Sequence, residues 1–158
     1  MLTLFHGSNS SFEIPSLAYA RDKRDFGVGF YTTLLRSQAC DWARNMFARY
    51  GGKAPCLYTL ELDESGLSVL TFPEISVDWL EMVKTNRLLG GIQHNYDIVM
   101  GPVANDNTLR TVSLYVAGVY DAQDAMKRLR YFKTNNQVSL HTEAALNKLV
   151  LKAREQLD

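Results

Sequence analysis

Short apolar runs broken by polar turns organise this chain, with helical spacing in some segments and strand-like alternation in others. Leu2–Phe5 is apolar almost from the first residue and predicts a buried strand that ends in His6-Gly7-Ser8. The stretch DFGVGFYTTL, Asp25–Leu34, sets two glycines beside aromatic and β-branched residues and predicts a second short strand. From Ser37, the residues Ala39, Trp42, Ala43, Met46 and Phe47 recur every three or four positions. That spacing predicts a helix capped by Ser37, stopped at Gly51-Gly52, with Trp42 on its core face. Cys56–Asp63 alternates like a strand, and Val69–Phe72 reads as another short one. Val77–Leu89 is helical, with Ser76 as cap and Gly90-Gly91 as stop, and Trp79 sits at core spacing. Tyr96–Asp106, YDIVMGPVAND, predicts a strand, a Gly-Pro turn and a polar cluster. Helices follow over Thr108–Val116 and, capped by Asp121, over Ala122–Phe132. A last strand spans Gln137–His141, and Thr142 caps a terminal helix with Ala145, Leu146, Leu149 and Val150 on one face.

Strands and helices alternate without a regular βαβ rhythm, which predicts an α+β fold with a largely antiparallel sheet. The 158 residues fit one domain, residues 1–158, with no repeat or linker to divide it. Lys and Arg total 17, as do Asp and Glu, so no overall charge draws the chain to nucleic acid or membrane. A local basic patch stays open. Cys40 and Cys56 lack metal-ligand spacing and read as free buried thiols in a reducing compartment. No basic segment followed by an apolar one opens the chain, and no apolar run reaches about 18 residues. These features imply a cytoplasmic protein with no membrane or metal partner.

Three segments then line up in order: FHGS, FGVGFYTTLLRSQACDWA and NNQVSLHTEAAL. The set resembles the ADP-ribosyltransferase fold, in the branch of diphtheria toxin and the poly(ADP-ribose) polymerases. It is most similar to a bacterial family of small stand-alone domains, long catalogued as of unknown function, whose members share the pattern of HGS, DFGxGFYxT, YDIVxGPxAxD and QxSxHTxxAL. The resemblance spans nearly the whole chain. It implies a largely antiparallel split sheet with flanking helices around an NAD cleft, with NAD consumed as a substrate.

On that resemblance His6 bonds a ribose hydroxyl, and Gly7, with Ser8 beside it, lets backbone reach the nicotinamide carboxamide. Tyr31, next to Gly29, stacks on the nicotinamide ring, and Ser37 bonds the carboxamide. Asn105 and Asp106 are further cofactor-binding candidates, although Asn and Asp are common in any turn after a proline. The charged run Arg21–Arg24 is a solvated loop or a lid reaching the pyrophosphate.

One departure matters most. Many relatives carry a catalytic Glu at the start of the late strand, where this chain has Gln137. An amide keeps the hydrogen bonds to ribose but offers a dipole in place of a full charge. Glu143 opens a helix, where the dipole favours an acid whatever its role. The catalytic set implied is thus His6, Tyr31 and Gln137. The activity implied is mono-ADP-ribosyl transfer to a macromolecule by the toxin of a toxin–antitoxin pair. A module that binds NAD or ADP-ribose with little or no catalysis, a bare interaction domain, and a 2′-phosphotransferase are the other readings.

Overall fold

The computed structural model describes residues 1–10, 15–18, 20–104, 108–130 and 135–158, leaving out the side chains of 135 and 136. The elements run β1 (Leu2–Ser8), β2 (Phe30–Thr33), α1 (Arg36–Tyr50), β3 (Cys56–Leu62), β4 (Val69–Thr71) and α2 (Val77–Leu89). Then come β5 (Ile98–Val103), α3 (Leu109–Val116), α4 (Ala122–Leu129), β6 (Asn135–Leu140), α5 (Glu143–Leu146) and β7 (Leu149–Gln156). The fold is α+β, with one seven-stranded sheet in the order β4-β5-β6-β2-β1-β3-β7. Every pairing is antiparallel except β4 with β5.

The sheet is continuous, yet it has a seam. β1 meets β3 along its whole length, from Leu2↔Leu62 to Ser8↔Cys56, and meets β2 at the single register pair Phe5↔Thr33. A split into two sheets was expected; the two halves instead remain joined at that one pair. The helices cover the halves unequally. On one face α1 packs Ala39 and Cys40 over Leu57 of β3. On the same side α2, α3 and α4 bury Trp79, Leu80, Val83, Val112 and Leu129 with Val99 of β5 and Tyr31 of β2. The other face forms a separate core around Leu4, Phe30, Tyr58, Ile98 and Leu140, closed by Ala145 and Leu146 of α5.

Several caps follow sequence chemistry. Ser76 accepts from Trp79 N, Asp121 from Asp124 N and Thr142 from Ala145 N, each relieving an orphan donor at a helix start. Gly51 and Gly90 end α1 and α2 at φ 70° and 72°, a left-handed turn that a Cβ resists.

Other expectations need correction. Ser37 does not cap α1: Leu35 holds that position, and Ser37 is an exposed residue of the first turn. The approach to the helix is set by Thr33, whose hydroxyl accepts from Leu35 N at 3.1 Å and donates to Gln38 Oε1 at 2.6 Å. Trp42 is not core; it is 48% exposed. Gly101-Pro102 does not turn the chain but lies inside β5, paired with Gln137 and Asn136. Pro102 is tolerated there because β4 pairs only with Ile98–Met100, so beyond Met100 β5 is an edge that needs no donor. The tail is the largest correction. Leu149 and Val150 belong to strand β7, which pairs with β3, and α5 ends at Leu146. Residues Lys148–Gln156 have good helix propensity, but the open edge of β3 captures their backbone. The expected end of the fourth helix at Phe132 lies outside the described residues.

Cys40 and Cys56 are free and buried. Among the described residues no helix is long and apolar enough to cross a membrane, and no group of His, Cys, Asp and Glu is placed to hold a metal.

Candidate functional site

Between α1 and α2 the sheet face is left open over the seam. There a cleft of about 640 Å³ is lined by β1, β2, the first turns of α1, the end of β5 and the start of β6. His6, Tyr31 and Gln137 all line it, from three strands adjacent in the sheet. Gln137 faces Thr33 in register on β2 and Gly101 on β5.

His6 and Tyr31 reach the cleft from opposite faces of the sheet. The His6 ring stacks on Phe30, with centroids 4.4 Å apart at 24°, whereas Tyr31, the next residue in the strand, points the other way. His6 Nδ1 spans the seam to the Tyr31 carbonyl at 2.7 Å. Burial pushes the His6 imidazole down to about 4, so it is neutral at pH 7. A carbonyl only accepts, so Nδ1 carries the proton and Nε2 is a hydrogen-bond acceptor.

Tyr31 is held tightly. Its hydroxyl donates to Gly27 O at 2.7 Å and accepts from Phe26 N at 3.0 Å, and burial pushes its ionisation up. One face of its ring is covered by the Arg24 guanidinium, 4.1 Å from the centroid. Arg24 belongs to the charged 21–24 loop, which therefore reaches into the cleft.

The glycines have reasons of their own. A Cβ on Gly7 would lie 2.0 Å from Ala39 O and 2.9 Å from Ala43 N, so Gly7 is what lets α1 sit down on β1. A Cβ on Gly29 would lie 2.7 Å from His141 Nδ1. Both glycines, and Ser8, line the cleft. Ser37 is exposed and is not among the described lining residues, Gln38 standing on the wall in its place. Glu143 is exposed at the start of α5, also off the cleft wall. Asn105 and Asp106 lie outside the described residues.

One feature escaped sequence reasoning. Asp25, 6% exposed, takes Arg87 Nε at 2.7 Å and its Nη2 at 2.5 Å on one oxygen, and Ala104 N at 2.9 Å on the other. This pair, its carboxylate buried and its arginine part-buried, fixes the loop before β2 to α2 and to the end of β5. The motif DFGVGF contained Asp25, but no spacing pointed to Arg87, which lies 62 residues on. His141, which its strand position assigns to the structural side, is 3% exposed, with Nδ1 2.8 Å from Val28 O and Nε2 2.8 Å from Ser139 Oγ. Burial lowers His141 to about 4, and the His94 ring meets it edge-on at 4.6 Å. His94 Nδ1 accepts from Tyr96 N, so its Nε2 donates to Phe26 O. The two histidines brace the 26–28 loop beneath Tyr31 rather than face ligand.

A family model described as "Protein of unknown function (DUF3990)" matches residues 2–151. No curated protein and no solved structure matches the chain.

Proposed function

The chain belongs to the DUF3990 family, and for this member we propose NAD-dependent mono-ADP-ribosyl transfer to a macromolecule. The observation that supports this reading is the meeting of His6, Tyr31 and Gln137 on adjacent strands at one cleft, since these are the residues carried by the three ordered motifs.

In this reading NAD enters as a substrate. The bond from ribose C1′ to the nicotinamide nitrogen breaks, and its electron pair leaves with nicotinamide. An acceptor lone pair forms the new bond to C1′, and the acceptor's proton passes to water. The protein contributes orientation and electrostatics. His6 and Gln137 hold ribose hydroxyls, and Tyr31 offers a ring face from which Arg24 must withdraw. The family likeness of the motifs makes a bacterial toxin, held by an antitoxin protein, the setting for this activity.

Gln137 favours a second reading, a module that binds NAD or ADP-ribose with little turnover, because an amide cannot match a carboxylate against developing positive charge. Nicotinamide release from NAD by purified protein, with and without cell extract, separates the two. Gln137→Glu is expected to keep NAD affinity and raise release several-fold, because optimised groups of this kind contribute roughly 2.7–4 kcal/mol to a transition state. Gln137→Ala is expected to lower release. No release from any of the three proteins, with NAD still bound, would establish the binding module. No binding of NAD would remove both readings.

A further inference from the structure

The mouth of the cleft has a chemistry that nucleotide chemistry at Gln137 and Tyr31 does not use. Trp42 lines the cleft while 48% exposed. Met46, one turn on, also lines it, and Tyr50, a further turn on, is 62% exposed. These three share one stripe of α1, and Trp42 and Tyr50 are separated by roughly 12 Å along the axis. Trp42 is about half exposed on a helix whose core face is already filled by Ala39, Cys40 and Ala43, and packing among the described residues does not explain it.

Cations flank the stripe. The Arg21 guanidinium lies 5.6 Å from the Tyr50 ring centroid, and Arg21 and Lys23 are exposed on the cleft wall. Arg24 and Arg87 line the same wall. Asp25 is the one carboxylate there among the described residues, and Arg87 already holds it. A chain with no net charge thus concentrates positive charge beside exposed aromatic faces.

We propose that the mouth of the cleft, built from Trp42, Tyr50, Arg21 and Lys23, binds single-stranded nucleic acid. Unpaired bases stack on the indole and phenol faces, and phosphates lie along Arg21 and Lys23. An acidic peptide would satisfy the cations but would leave the aromatic row uncovered, so the strand fits better. That the bound strand is the acceptor of the transferred group rests on the ADP-ribosyl-transfer reading above; the binding itself does not.

The test titrates fluorescein-labelled single-stranded RNA and DNA, and the matching duplexes, with the full chain in the absence of NAD, reading anisotropy over a range of salt. Single strands are expected to bind more tightly than duplexes. Trp42→Ala should weaken binding roughly 5- to 150-fold, and Trp42→Phe should retain most of it. Arg21→Ala and Lys23→Ala should each flatten the log–log salt dependence by about 0.7. No binding at low salt, equal binding of duplex, or an unchanged affinity in Trp42→Ala would overturn the proposal. With NAD absent, the result stands or falls apart from nicotinamide release. The acceptor assignment is tested separately with labelled NAD, extract and added strands: label on the strands supports it, and label on protein alone overturns it.

Discussion

Tyr31 carries two roles in two parts of one side chain. Its ring is offered to the cleft beneath Arg24, and its hydroxyl ties the Phe26–Gly27 turn. Tyr31→Phe leaves a buried N–H and a carbonyl without that partner, which should cost about 1–3 kcal/mol in urea unfolding. Tyr31→Ala should cost more, through the cavity left beside Phe26. In folded protein the Phe variant should keep most of the NAD affinity and the Ala variant should lose it, measured by calorimetry, because stacking needs only the ring. Equal affinity losses would move the role to the hydroxyl. At this scale the ordered motifs foretold that His6, Tyr31 and Gln137 line one cleft. Gly7 shows the limit. Its need for a bare Cα was legible, but the reason is the carbonyl of Ala39, and no local pattern announces which backbone will approach.

Elements were read well where their ends carry chemistry. Ser76, Asp121, Thr142, Gly51 and Gly90 do at the helix ends what their types suggest. The failures came where a neighbour decides. Helical spacing puts Trp42 on a stripe but cannot say whether anything covers that stripe, and the edge of β3 turned a helix-prone tail into β7. The Asp25–Arg87 pair is another such neighbour effect, joining the loop before β2 to α2. Arg87→Met should leave a buried carboxylate without its cation and destabilise the fold by roughly 3–5 kcal/mol in chemical denaturation. Adding Asp25→Asn should recover part of that loss, as a double-mutant cycle measures. Additive losses would mean that each residue acts through other contacts.

For the whole molecule, pH is the broadest probe. His6 and His141 fall from an ordinary 6.5 to about 4 on folding, and His94 shifts the same way, each because burial disfavours the charged ring. Between pH 6.5 and about 4 the unfolded chain therefore binds more protons than the folded one. Stability should be flat above pH 7, fall as pH drops through that window, and level off for this contribution below about 4. His141 alone contributes on the order of 3 kcal/mol to the fall. His141→Gln should shrink the slope between pH 6.5 and 4 in thermal melts, and an unchanged slope would mean that the ring is not titrating there. Strand position marks this histidine as structural, but its partners Val28 and Gly29 lie far away in the chain, and no local pattern names them.

The sheet order gives the cleft a place in time as well as in space. Its wall takes β1 and β2 from residues 2–33 and β6 from residues 135–140, with Thr32 Oγ1 bonded to Val138 O across a gap of 106 residues. Because synthesis runs from the N-terminus, a growing chain has His6 and Tyr31 long before it has Gln137 or the strand that pairs with β2. Every translation intermediate that stops short of residue 135 lacks one side of the cleft. A cell making this protein therefore holds no assembled site until β6 has been translated, and whatever chemistry the cleft performs waits for that strand.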